Sequence, residues 1–219
     1  MISPRGAALR ARLDQIMRRD AHNGAQGYTI RSLYFDTPDD EDFHDKVDGL
    51  ELRRKLRLRA YSPDATCHAG DEAEGGTLHQ KKRSLRLSRE DAVRLCQGDY
   101  GPLKSYPDPF AGNGYGLMAC RCYRPKAIVE YLRQAYLAQE NHIRITLDSR
   151  ITATETCFDL FSARLPQFPV MDPFRMVLEV KYNGFLLSYI KDLLHQVHRP
   201  ELSISKYCMA RRLTCGTIV

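Results

Sequence analysis

The stretch Leu50 to Tyr61, LELRRKLRLRAY, constrains the fold more than any other. Read with period two, Leu50, Leu52, Leu56, Leu58 and Ala60 point one way, with Arg54 the exception. Glu51, Arg53, Lys55, Arg57, Arg59 and Tyr61 point the other way. Such alternation marks a half-buried strand. Same-face side chains on a strand stand about 6.6–6.8 Å apart. One face is therefore a row of cations: Arg53, Lys55, Arg57 and Arg59. Like charges in a row repel one another. They are tolerated in open solvent, beside facing carboxylates, or around a bound polyanion.

Other segments repeat the design. Tyr28 to Asp36, YTIRSLYFD, is rich in strand formers and is closed by Thr37-Pro38. Lys126 to Tyr136 and Asn141 to Asp148 read as two strands joined by a short turn. In the second of these, Ile143, Ile145 and Leu147 face the core, while Arg144, Thr146 and Asp148 face away. Arg175 to Tyr182 places Met176, Leu178, Val180 and Tyr182 on one face and Val177, Glu179 and Lys181 on the other. Thr77 to Leu87 is a second basic strand, with poorer alternation.

Helices surround these strands. The first begins at Ser3-Pro4, with Leu9, Leu13, Ile16 and Met17 on one face. Ser88 to Asp91 resembles a capping box opening a helix through Cys96. Gly184 to Val197 is amphipathic, with Leu186, Ile190, Leu193, Leu194 and Val197 inward. Asp39 to Asp48 reads as a loop or short helix, Ser62 to Gly76 and Tyr100 to Gly116 as loops, and Leu117 to Tyr123 as a short helix. Residues 152–174 read as irregular. No composition shift marks a second domain, so residues 1–219 are expected to form one.

Apolar faces turned to helices would leave the charged faces lining a closed antiparallel barrel. That interior would be a cationic tunnel suited to a chain of phosphates, because Arg makes forked, charge-assisted hydrogen bonds. Taken one strand at a time, a solvated charged face is the commoner outcome.

Composition narrows the field. Lys and Arg number 33 against 27 Asp and Glu, a net charge of +6 that biases the chain toward anionic partners. Aromatic residues are 9% with no Trp, and no recognition motif appears, so nucleic acid is not an expected partner. The seven cysteines are scattered, and Cys120-Arg121-Cys122 is too tight for zinc spacing. Free thiols in a reducing cytosol, and hence a cytoplasmic location, fit best. No apolar run approaches a membrane span and no secretory leader is visible. A GxxxxGK[ST] loop and a nucleophile elbow are both missing, which disfavours P-loop and serine-hydrolase chemistry. The oligomeric state is left open.

Six segments in order carry a resemblance: SLYFDT (32–37), KLRLRAY (55–61), VEYLRQAY (129–136), IRITLD (143–148), VLEVKY (177–182) and SISKY (203–207). Together they resemble VTC domains, the polyphosphate polymerase domains named for the vacuolar transporter chaperone. These belong to the triphosphate tunnel metalloenzyme, or CYTH-like, superfamily. The resemblance implies an α+β fold, an antiparallel β tunnel with flanking helices. It implies ATP-dependent growth of polyphosphate with Mn²⁺ or Mg²⁺, so that ATP and polyphosphate are the partners. By position, Arg57, Arg59, Arg133 and Lys206 match the catalytic phosphate-binding cations. Lys81, Arg144, Lys181 and Ser205 match or adjoin further substrate contacts, and Glu179 matches the metal-binding glutamate.

Three family features are unmatched: an opening RYE-x-KY strand, the glutamate of an E-x-K strand near Thr77 to Lys82 (here His79-Gln80-Lys81), and a basic residue at Ser203. Two wall strands are thus expected to be incomplete. A tunnel triphosphatase and a catalytically degenerate polyphosphate- or nucleotide-binding module are the alternatives to a polymerase.

Overall fold

The computed structural model describes residues 4–61, 67–75, 79–195 and 202–215; side chains of residues 67–82 and 213–215 lie outside that description. Its elements run α1 (Pro4–Ile16), β1 (Arg18–Arg19), β2 (Tyr28–Asp36), α2 (Glu41–Val47), β3 (Leu56–Ala60), β4 (Cys67–Gly75), β5 (His79–Leu87) and α3 (Arg89–Cys96). A 3₁₀ turn (Gly101–Ser105) precedes α4 (Pro109–Cys120), β6 (Arg124–Leu137), β7 (Arg144–Thr154), β8 (Phe168–Pro169), β9 (Met176–Lys181), α5 (Ser188–His195) and α6 (Lys206–Cys215).

The sheet follows the order β5-β4-β3-β2-β6-β7-β8, with β1 beside β6 and β9 beside β7. The pairings β2–β3, β3–β4, β4–β5 and β7–β9 are all antiparallel. Strand pairing does not close the sheet among the described residues. This corrects the expected closed barrel. The path ends on β8, which has only two residues, one of them a proline without an N–H to donate.

The chain divides into two compact units interleaved in sequence. The α1 unit comprises residues 1–29, 131–151 and 171–204; the α6 unit comprises 30–130, 152–170 and 205–219. Each has its own apolar cluster. In the α1 unit Leu9, Leu13 and Met17 pack with Tyr136, Ile143, Ile145, Leu147, Ile190 and Leu193. In the α6 unit Leu33, Phe35, Leu56, Leu58, Leu85 and Leu87 pack with α3 and α4 through Leu95, Phe110 and Met118. In β3 and β7 the faces in these clusters are the ones that the alternation assigned to the core.

Several local expectations change. The basic strand forms only from Leu56. Gly49 adopts a left-handed φ of 72° after α2, and Leu50 and Leu52 are 49% and 74% exposed rather than buried. Ile16, expected inward, is 42% exposed, because α1 ends there and β1 pairs with β6. Part of the expected Ser62–Gly76 loop is β4, and the second incomplete wall strand is therefore present as the β4–β5 pair. Its composition is poor in strand formers, but its backbone pairs in register from Cys67 opposite Leu87 to Gly75 opposite His79.

The expected loop Tyr100–Gly116 is largely 3₁₀ turn and helix. Asp108 caps α4 by accepting the Phe110 N–H at 2.8 Å, Pro109 fits the first turn, and burial of Phe110, Ala111 and Met118 outweighs the cost of three helical glycines. The last matched segment, residues 203–207, carries no expected helix, yet α6 begins within it at Lys206. The fifth helix starts at Ser188 rather than Gly184, and Val197 lies outside the described residues.

Candidate functional site

In the α6 unit, β2 and β3 build a polar face behind the core. Leu33 and Phe35 point into the apolar cluster, so Ser32, Tyr34 and Asp36 point the other way. Register pairs Tyr34 with Arg57 and Ser32 with Arg59. Tyr34 is only 2% exposed, with Lys55 Nζ 5.7 Å from its ring centroid. Burial pushes the Tyr34 phenol up, but the charges of Lys55, Arg57, Arg59 and Lys206 outweigh it and bring the group below its ordinary value. Lys55 thus stands over the ring, and charges from β3 and from the start of α6 act on the same group. Ser205 is buried and caps α6, its Oγ accepting the Cys208 N–H at 3.3 Å.

A buried acidic anchor lies on the same strand. Asp36 is fully buried; Oδ1 accepts the N–H groups of Thr37 and Asp42, and Oδ2 accepts that of Phe43 at 3.0 Å. It thereby caps α2. Oδ2 also accepts the Tyr207 hydroxyl at 2.7 Å. Burial, and then the Asp36 charge, hold the Tyr207 phenol far above its ordinary value, so it stays a donor. Asp42 is pushed up to about 7 by burial and by Asp36, against the Tyr123 hydroxyl that donates to it at 3.0 Å.

The charged face of the α1 unit is built differently. Arg133 makes a forked contact with Asp148, Nε to Oδ1 and Nη2 to Oδ2, both at 2.7 Å. Asp148 is wholly buried. Burial disfavours the Arg133 charge, but Asp148, Tyr131 and Glu179 outweigh it and raise its pKa above the usual arginine value. Glu179 lies 3.6 Å from Arg133 Nη2 and 2.9 Å from Lys181 Nζ. Arg144 reaches Asp20 at 2.9 Å and donates to the Tyr28 hydroxyl at 3.3 Å. Gly27 makes this packing possible: at φ 107°, a Cβ there would come within 2.4 Å of the Arg133 carbonyl oxygen.

The sequence-named residues therefore fall into two groups. Arg57, Arg59, Ser205 and Lys206 belong to the α6 unit; Arg133, Arg144, Glu179 and Lys181 belong to the α1 unit. Lys81 sits in β5 opposite Ala73, and its side chain is outside the described residues. Sequence reasoning missed Tyr34, Asp36, Tyr207, Asp148 and Asp20. The signal for the first two was present: Ser32, Tyr34 and Asp36 alternate with Leu33 and Phe35.

Among the described residues no group of three His, Cys, Asp or Glu side chains could hold a metal, and no helix is long and apolar enough to cross a membrane. Glu179 is partly exposed and offers the oxygen donors that a hard divalent ion takes, while its carboxylate pairs with Lys181 and Arg133.

The antiparallel sheet with flanking helices thus carries one group of cations in each unit. The family model for the VTC domain matches residues 5–215, and the chain belongs to the VTC domain family. No curated protein matches the sequence significantly. Among solved structures, a candidate adenylyl cyclase from Hippeastrum, described as having a dominant triphosphatase activity, is similar with a TM-score of 0.57 at 14% identity. That alignment covers 99% of this chain and 93% of the other, and shows the shared fold. A candidate adenylate cyclase from Bacillus halodurans aligns over 87% of this chain and 81% of its own, at 11% identity and a TM-score of 0.48.

Proposed function

We propose that this protein is a polyphosphate polymerase that transfers the γ-phosphoryl group of ATP to the end of a growing polyphosphate chain. The observation that carries this reading is the strand face that sets Arg57 beside Tyr34 and Arg59 beside Ser32, with Lys55 over the Tyr34 ring, in a chain matched by the VTC family model. Phosphoryl transfer asks little covalent chemistry of a protein; it needs positioning and neutralisation of charge. A terminal oxygen of polyphosphate forms the new P–O bond while the bond from the γ-phosphorus to the β,γ-bridging oxygen breaks, and ADP leaves.

Arg57 and Arg59, two residues apart on one strand face, hold neighbouring phosphates through forked hydrogen bonds. Lys206 adds a point charge and Ser205 a hydroxyl at the start of α6. In the α1 unit, Arg133 offers a charge fixed by Asp148, and Lys181 a more exposed one. Arg144 contributes through its pairing with Asp20. Glu179 would hold Mn²⁺ or Mg²⁺, which when bound supplies neutralising charge to phosphate oxygens.

A second reading is a tunnel triphosphatase, in which water replaces the chain end as the acceptor. The triphosphatase activity ascribed to the Hippeastrum protein favours it. A time course with ATP and Mn²⁺ or Mg²⁺ separates the two. The polymerase reading expects ADP together with acid-labile polyphosphate that lengthens with time. Orthophosphate with no chain at any time supports the triphosphatase, and no turnover with either metal overturns both.

A further inference from the structure

We propose that Tyr207 is a positioning residue: bonded to Asp36 and stacked on Tyr34, it fixes where Lys206 joins the cations of β3. The inference rests on the phosphate-binding reading of that cluster and adds a residue to it.

Three observations within the α6 unit carry it. First, Tyr207 is 4% exposed and its ring stacks on Tyr34, with centroids 5.3 Å apart and planes 28° apart. Tyr34 is the ring on which Lys55, Arg57, Arg59 and Lys206 act. Second, the Tyr207 hydroxyl donates to Asp36 Oδ2 at 2.7 Å, and Asp36 is held by three backbone N–H groups at the start of α2. Tyr207 is thus tied at its tip to a rigid acceptor and along its ring to β2, while Phe43 meets it edge-on at 6.4 Å. Third, Lys206 is the neighbouring residue and the first of α6. The two residues share a peptide bond, so a shift of the Tyr207 backbone also moves that of Lys206.

Arg211 gives the helix a separate anchor. It lies one turn beyond Tyr207, bonds Glu155 at 2.6 Å and pairs with Asp40. Loss of the Tyr207 hydroxyl alone therefore leaves α6 attached. What it releases is the depth of the first turn, where Lys206 sits. A charge displaced by about 1 Å in a site built on positioning loses much of its effect.

A double-mutant cycle tests this, using the full chain and tripolyphosphate as the titrant in a calorimeter. Tyr207→Phe keeps the ring and removes the bond to Asp36; it should weaken tripolyphosphate binding about five- to tenfold. Lys206→Ala should weaken it by at least as much. In the Lys206→Ala background, Tyr207→Phe should then change affinity less than twofold, because its effect passes through Lys206. Tyr34→Leu, which removes the stacking partner and leaves the Tyr207–Asp36 bond, should show the same loss of effect. It serves as the second probe if Tyr207→Phe lowers the melting temperature too far for titration. Additive penalties in both cycles, or a Tyr207→Phe variant that binds as the parent does, overturn the positioning role. If Lys206→Ala and Arg57→Ala both leave binding unchanged, the phosphate-binding reading itself fails, which is a different result.

Discussion

The two units treat charge in opposite ways. On the α1 unit each cation of the polar strand face meets a carboxylate: Arg133 meets Asp148 and Glu179, Lys181 meets Glu179, and Arg144 meets Asp20. On the α6 unit the charges of Lys55, Arg57, Arg59 and Lys206 act on a phenol, Tyr34. Paired charges of the first kind hold one another in place, and what they give a site is geometry. Cations that act together on one phenol raise the local positive potential, which favours an anionic ligand. Under the proposed function the first unit would supply positioned charge and the second phosphate affinity, and mutations can separate the two.

The largest effect is expected in the α1 unit, on stability. Arg133→Met removes the forked partner of a wholly buried Asp148, and breaking such a pair costs about 3–5 kcal/mol. Denaturant unfolding should show the loss. The double variant Arg133→Met/Asp148→Leu should recover most of it, since a buried pair replaced by apolar residues is often neutral. Next comes Arg57→Ala with Arg59→Ala, where the loss should appear in function. Turnover should drop by about 10²–10³-fold, as when a transition-state charge stabiliser is removed, in protein that still unfolds cooperatively. No loss of turnover there, or no loss of stability on removing Arg133, would erase the contrast.

A smaller effect concerns pH. An aspartate in an unfolded chain titrates near 3.9, whereas Asp42, buried beside Asp36 and facing Tyr123, Arg54 and Asp45, titrates at about 7. The folded state keeps a proton that the unfolded state releases. The contribution of Asp42 is thus fully favourable below about pH 4 and is lost as pH rises through about 7. Asp42→Asn should be more stable than the parent at pH 7.5 by about 1–3 kcal/mol, and flatter between pH 4 and 7. The smallest expected effect is Lys181→Ala. Its pair with Glu179 is 53% and 38% exposed, and unfolding should shift by less than about 1 kcal/mol.

Where period two held without interruption, the sequence was enough. Leu56, Leu58 and Ala60 are buried and Arg57 and Arg59 oppose them, as read. Ile143, Ile145 and Leu147 join the apolar cluster, while Arg144, Thr146 and Asp148 lie on the other face, with Thr146 and Asp148 also buried. Alternation failed at Leu50 and Leu52 because local chain direction decided there: Gly49 turns left-handed and the Leu50 N–H closes on the Asp45 carbonyl. It failed for β4 because pairing on both sides, to β3 and to β5, makes a strand of residues with little strand preference. The glycine-rich α4 formed for a tertiary reason, burial of Phe110 and Met118. In the site, individual cations were legible, since a charge on a strand face announces itself. Their partners were not. Asp148 with Arg133, and Tyr207 with Asp36, are separated by 15 and 171 residues, and only the fold brings them together.

The central claim, that the α6 unit binds a phosphate chain through β3 and the start of α6, is tested most directly by titrating tripolyphosphate into the parent protein and into the Arg57→Ala/Arg59→Ala variant. The account predicts saturable binding to the parent that weakens at least a hundredfold in the variant, with both proteins folded at the temperature of the titration. Equal affinities in the two proteins would contradict it.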